Sequence, residues 1–248
     1  MNNAIICLTS WKARIKYLGI TLYSLIRQTN PCPICITLSK EEFPNELIDL
    51  PNDIRAIIAS NNISILWDNG NIRSHKKYFY AIQSYPDKDI ILADDDLIYY
   101  PNFTQTLCDV SNKYKGCVIA LRCHKILYDE MGYPVRYNHW IHQYQLSGCD
   151  PDLFFTSGWG TLIPAHTLQV NNALRTDINA TLYADDVLLN MLCRKHNIPI
   201  YNVANILCAQ NDTEAIMNSA LALKNTAPQC SRNDSYINLY REYFRRSL

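Results

Sequence analysis

The chain has 248 residues, with 23 Lys+Arg balanced by 23 Asp+Glu, 48% hydrophobic residues and 19% charged. That composition supports a packed core and excludes disorder or a collagen-like repeat, and a net charge of zero removes the basic field that a duplex nucleic-acid binder presents, so no nucleic-acid partner is expected. No apolar run approaches the roughly 18–20 residues that cross a bilayer, and the opening MNNAIICLTS lacks the basic start and cleavage site of a secretory signal. The expectation is a cytoplasmic protein whose ten cysteines are mostly free.

In chain order, residues 4–8 (AIICL) read as a buried strand. Ile15, Leu18, Leu22, Leu25 and Ile26 follow helical spacing and predict a helix over 15–28. Residues 34–38 form a second strand, and the Cys32/Cys35 pair before and within it lacks the partners of a zinc site. Residues 63–67 form a third strand, ended by Asp68-Asn69-Gly70. Ser74 is the expected N-cap of a helix with Tyr78, Phe79, Ile82 and Tyr85 on one face.

Residues 89–93 make a strand that runs straight into Asp94-Asp95-Asp96. Pro101 suits the first turn of the next helix, and residues 117–121 make another strand. The alternation implies an α/β fold, mostly parallel, with ligands at the carboxyl ends of the strands. Residues 124–152 read as loops and short strands over the sheet edge. Within them His139, His142 and Cys149 form a weak zinc candidate, and surface or core histidines are the expected reading. Beyond lie the turn Ser157-Gly158-Trp159-Gly160, a helix opened by Asp185-Asp186, a strand over 200–207 and a terminal helix from Ser235 to Arg246.

Three consecutive aspartates at a strand end repel one another and raise each other's pKa. A divalent cation relieves that repulsion, and carboxylate oxygens suit Mg²⁺ or Mn²⁺ while leaving positions for phosphate oxygens. Asp150-Pro-Asp152 has the same spacing but no strand before it, and is discounted. At the start of the later helix, Asp185 and Asp186 can be favoured by the dipole alone, or can supply a general base.

The order strand–Asp94-Asp95-Asp96, Gly/Trp loop, Asp185-Asp186-Val-Leu-Leu resembles the GT-A glycosyltransferases. It is most similar to the family-2-like bacterial enzymes of capsule and O-antigen assembly. Leu8-Thr-Ser-Trp-Lys-Ala-Arg14-Ile, Asn71-Ile-Arg-Ser-His-Lys-Lys77-Tyr and IILADDDLIYYP are similar to stretches of that subgroup, and the likeness covers roughly residues 4–200. It implies a single GT-A catalytic domain, with a nucleotide-sugar half over 1–121 and an acceptor half with its tail over 122–248.

The same resemblance implies the roles. Asp96, with Asp94, would hold Mn²⁺ or Mg²⁺ against the donor diphosphate, and Asp94 or Asp95 would contact the ribose or sugar. Thr9, Arg14, Asp68, Arg73, Lys76 and Lys77 would line the nucleotide pocket, with His75 beside them. Gly158, Trp159 and Gly160 would form the acceptor loop. Asp186 would be the base of an inverting transfer, although the Asp-Asp pair stands where the family has Glu-Asp, which leaves Asp185 open as the base. The implied partners are a UDP-sugar donor and a saccharide or lipid-linked saccharide acceptor. Arg241, Arg245 and Arg246 in the aromatic tail allow a peripheral membrane contact, against a plain terminal helix packed on the domain. A nucleotide-sugar-binding module without turnover, and a retaining transferase, are the competing readings.

Overall fold

The computed structural model describes residues 3–211 and 231–246. An eight-stranded sheet forms its centre: β1 (Ala4–Thr9), β2 (Ile34–Ser39), β3 (Ser64–Asp68), β4 (Asp89–Leu92), β6 (Val118–Ala120), β8 (Gly148–Cys149), β10 (Thr161–Ile163) and β11 (Ile200–Asn202). Their order across the sheet is β3-β2-β1-β4-β10-β6-β11-β8. The pairs β3/β2, β2/β1, β1/β4 and β6/β11 are parallel. β10 is inserted antiparallel between β4 and β6, and β8 closes one edge antiparallel to β11. β5 (Leu97–Tyr99) pairs with β12 (Ala209–Asn211), and β7 (Cys123–Lys125) with β9 (Leu153–Phe155), outside the main sheet.

The inner strands read as unbroken apolar runs because both faces of the sheet are covered. β1 shows the division. Ile5 and Cys7 face one layer, while Ala4, Ile6 and Leu8 face the other, as the two-residue period of a strand requires. The second layer holds α1 (Leu18–Ile26), α2 (Asn52–Ser60) and α4 (Phe103–Lys113) through Leu18, Leu22, Ile54, Ile57, Phe103 and Leu107. The first holds α3 (Lys76–Ser84), α5 (Asn172–Ala180) and α6 (Asp185–Lys195) through Tyr78, Phe79, Leu174, Ile178, Val187 and Leu188.

Several boundaries depart from the sequence reading. A 3₁₀ turn over Ile15–Tyr17 precedes α1, which ends at Ile26. α3 starts at Lys76 with no side-chain cap, and the Ser74 hydroxyl instead bonds Asp185. α4 starts at Phe103, just beyond Pro101. The tail forms α7 (Arg232–Leu239) and α8 (Arg241–Phe244) rather than one helix. Phe244 is fully buried, and the Arg241 and Arg245 guanidinium groups lie 4.0 and 4.8 Å from the Tyr133 ring centroid. Among the described residues no helix is long and apolar enough to cross a membrane.

Candidate active site

The site lies where β1 and β4 end. Beyond Leu92 the chain carries Asp94, Asp95 and Asp96 across the carboxyl end of the sheet. Asp95 is buried there, accepting from Ser10 Oγ at 2.5 Å and from Arg14 Nη1 at 2.7 Å. The same Arg14 nitrogen lies 3.0 Å from Asp96 Oδ2. Burial pushes Asp96 up to about 7, with Asp94 adding to the rise and Arg14 opposing it. Asp94 is more open, its side chain 39% exposed.

The inserted strand brings the Gly/Trp loop to the same place. β10 runs antiparallel to β4 with Thr161 opposite Leu92, so the residues before β10 return to the end of β4. A Cβ on Gly158 would sit 1.6 Å from Asp94 Oδ2, so glycine is required by the close approach. The Tyr99 hydroxyl donates to Gly158 O at 2.5 Å and accepts from Asp94 N at 2.8 Å, which clamps the two segments together. Gly160 adopts φ +114°, the second position in this loop that favours glycine. Trp159 is half-buried, with the Arg122 guanidinium 4.3 Å from its ring centroid.

Asp185 and Asp186 form the first turn of α6. Ser157 N and Oγ lie 2.8 and 2.7 Å from Asp186 Oδ1, and Ser157 Oγ lies 3.0 Å from Asp185 Oδ2. Lys77, on the first turn of α3 and 2% exposed, places Nζ 2.8 Å from Asp94 Oδ1 and 2.8 Å from Asp185 Oδ2. Burial opposes its charge, but Asp185, Asp94 and Asp186 outweigh burial and hold it protonated well above the usual lysine range. In turn, burial would raise Asp185, yet Lys77 holds that carboxyl well below the usual range. Asp186 behaves oppositely: burial and the neighbouring Asp185 charge push it up to about 6. The two adjacent carboxylates thus differ sharply in proton affinity, the pattern that separates a fixed counter-ion from an acid–base group.

The other predicted residues are placed around this site or away from it. Thr9 closes β1 and donates to Thr37 O of β2 at 2.7 Å. Asp68 is fully buried and accepts from Gly70 N and Ile72 N at 3.0 Å each, and from the Tyr80 hydroxyl, so it shapes the loop after β3. Lys76 is 1% exposed and bonds Asn71 Oδ1 at 3.1 Å, while His75 lies between Tyr78 Oη and Thr181 O; both are pushed down by burial. Arg73 is exposed, 5.9 Å from the Tyr183 ring centroid. Of this basic cluster only Arg73 is exposed. Asp150, of the discounted Asp-X-Asp, pairs with Lys125 at 2.6 Å.

No protein-family model matches the sequence, and no curated protein matches it. Solved structures do. A crystal structure of S. aureus TarS 1–349 superposes with a TM-score of 0.55 at 12% identity, covering 98% of this chain and 70% of that one. A second structure of S. aureus TarS gives 0.52 at 11% identity, and there this chain spans only 43% of the other. The chain has the glycosyltransferase-like GT-A fold. In that fold the β4 end, the loop before β10 and the start of α6 meet at one place, as the distances above show. Four residues of this meeting point were not singled out from the sequence: Ser10, Tyr99, Arg122 and Ser157. Ser157 alone carried a local signal, its position beside Gly158. The others are ordinary residues after or within strands, and only the long-range pairing of those strands gives them their partners.

Proposed function

We propose that this chain is a metal-dependent glycosyltransferase. It moves a sugar from a UDP-sugar to a hydroxyl of a saccharide or lipid-linked saccharide in cell-surface polysaccharide synthesis, with inversion and with Asp186 as the base. The observation that carries this reading is Lys77, which ties the carboxylate after β4 to the carboxylate pair opening α6 through two 2.8 Å contacts. A donor-side motif and a candidate base thereby share one buried cation.

The donor set after β4 suits a hard cation. It is all oxygen, and repulsion from Asp94 is part of what drives Asp96 up to about 7. Among the described residues no three His, Cys, Asp or Glu side chains converge to enclose an ion. A cation on Asp96 and Asp94 would therefore complete its shell with diphosphate and water oxygens, as Mg²⁺ commonly does. When bound, Mn²⁺ or Mg²⁺ would stabilise the charge that develops on the leaving nucleoside diphosphate.

The protein's own groups do the rest. Arg14, fixed by Asp95, and Thr9 present the end of β1 to the nucleotide. Lys77 places a permanent positive charge between the donor side and the base. Ser157 holds Asp186 Oδ1 with an N–H and a hydroxyl, which orients the carboxylate to accept the acceptor hydroxyl proton on Oδ2. A pKa near 6 keeps that base ionised at neutral pH without making it a weak one.

Calorimetric titration of UDP with Mn²⁺, repeated with EDTA and with Asp96→Ala, tests the reading. Metal-dependent binding that disappears in the variant supports it. No binding of UDP or of any other nucleoside diphosphate, with or without metal, removes it. Asp186→Asn should retain UDP binding and lose transfer.

A further inference from the structure

Arg122 follows β6 and is enclosed by the Gly/Trp loop. Its Nε donates to Thr156 Oγ1 at 2.6 Å, and the guanidinium lies 4.3 Å from the Trp159 ring centroid. Among the described residues it forms no ion pair. Burial lowers its pKa, with the more distant Asp186 and Asp94 opposing. Arg122 is half-buried, and a guanidinium drawn partly out of water with no carboxylate in contact carries a cost that an anionic partner would relieve.

The same side chain lines a cleft of about 290 Å³ with Leu121, Gln143, Gln145, Trp159 and Asn205. Small-ligand sites begin at roughly 300 Å³, so the cleft is the size for a sugar unit rather than a macromolecular face. Beside apolar side chains such as Leu121, Ile206 and Leu207, its lining holds an indole, amides and one cation, the groups that stack on a sugar ring and bond its hydroxyls. Three consecutive residues link the cleft to the reacting groups. Ser157 holds Asp186, Gly158 abuts Asp94, and Trp159 lines the cleft.

We propose that this cleft is the acceptor subsite and that it selects a saccharide carrying a negative charge, a carboxylate or a phosphate, through Arg122. The inference rests on the transferase reading and adds the class of acceptor to it. A neutral acceptor would leave the guanidinium unpaired, whereas an anionic group would accept its free N–H donors in a charge-assisted, fork-shaped contact.

The test is saturation-transfer NMR on the full chain with three probes: glucose, glucuronic acid and glucose 6-phosphate, each without and with saturating UDP and Mn²⁺. The expected result is binding of one or both charged sugars about tenfold or more tighter than glucose, not displaced by UDP. Which charged probe wins separates carboxylate from phosphate recognition. In Arg122→Gln the charged preference should vanish, while UDP affinity stays within twofold. Equal binding of all three probes overturns the inference. So does displacement of the charged sugars by UDP, which would trace the preference to the donor side, and that arm needs no variant. A preference that survives in a folded Arg122→Gln, or a loss of UDP binding with it, overturns it as well. If the wild-type chain binds the charged sugars but no nucleotide, the transferase reading fails and the anionic-sugar subsite stands.

Discussion

At the residue scale Lys77 and Asp186 are the most sharply contrasted charges of the site. Lys77 has lost its water and is held by two carboxylates that would otherwise repel each other across the site. Removing one partner from a buried ion network leaves uncompensated charge, on the order of 3–5 kcal/mol. Lys77→Met should therefore lower stability by about that amount in urea denaturation and abolish transfer as Asp94 and Asp185 separate; an unchanged midpoint would show that Lys77 is dispensable to the packing. On the proposed mechanism Asp186 would set the acid side of the rate profile. Its carboxyl sits at about 6, and the base form is lost as pH falls through that value, so kcat should drop close to tenfold per unit below it. A profile flat down to pH 5 would exclude Asp186 as the base. Both residues are visible in the sequence as charges in the right motifs. What the sequence does not carry is burial: Lys77 reads there as a donor-facing cation, and only its remote partner Asp185 makes it an internal tie.

At the element scale the site depends on how α6 is fastened to the sheet side. Asn190, one turn beyond Asp186, accepts from Phe155 N at 3.0 Å and donates to Phe155 O at 2.9 Å and to Asp186 O at 2.8 Å. One amide thus locks the helix start against β9. Asn190→Leu keeps the volume and strands buried backbone groups of Phe155, a loss of roughly 1–3 kcal/mol. Because the helix start also carries Asp186, kcat should fall several-fold while UDP affinity is retained; equal loss of both would place the damage in the whole domain instead. The strands β1 to β4 and the helices α1 and α3 are legible because each is a local pattern, an apolar run or a helical spacing, whereas α2 (Asn52–Ser60), between β2 and β3, is not. After β6 only α6 and the start of β11 are legible in this way, and the pairings of the short strands are not. β7 finds its partner β9 with Cys123 opposite Phe155, and β10 enters the sheet between β4 and β6 against their direction. Such pairings are decided by distant segments. α5 escapes notice for a different reason, since among its residues only Leu174 and Ile178 reach the core.

At the scale of the whole molecule, the fold gathers Asp94, Asp96, Asp185 and Asp186 at one end of the sheet, around few cations. That arrangement opposes folding stability, and Asp186 makes the conflict measurable. Its carboxyl titrates near 4 when unfolded and at about 6 when folded. Between those values the native state binds more protons than the unfolded chain, so stability falls as pH rises through the window and the full penalty applies above it. Two units correspond to roughly 3 kcal/mol. Asparagine cannot ionise, yet its oxygen can still accept from Ser157. Asp186→Asn, the variant expected to lose transfer, should therefore be more stable than the parent at pH 7.5, by up to about 3 kcal/mol, with the difference disappearing near pH 4. Urea denaturation at the two pH values, without added metal, decides the matter. Equal or lower stability of the variant at pH 7.5 would mean that Asp186 is not held ionised against its surroundings. The stabilising result would identify this carboxylate as a charge kept in place at the expense of the fold, which is the expected mark of a group retained for chemistry rather than for packing.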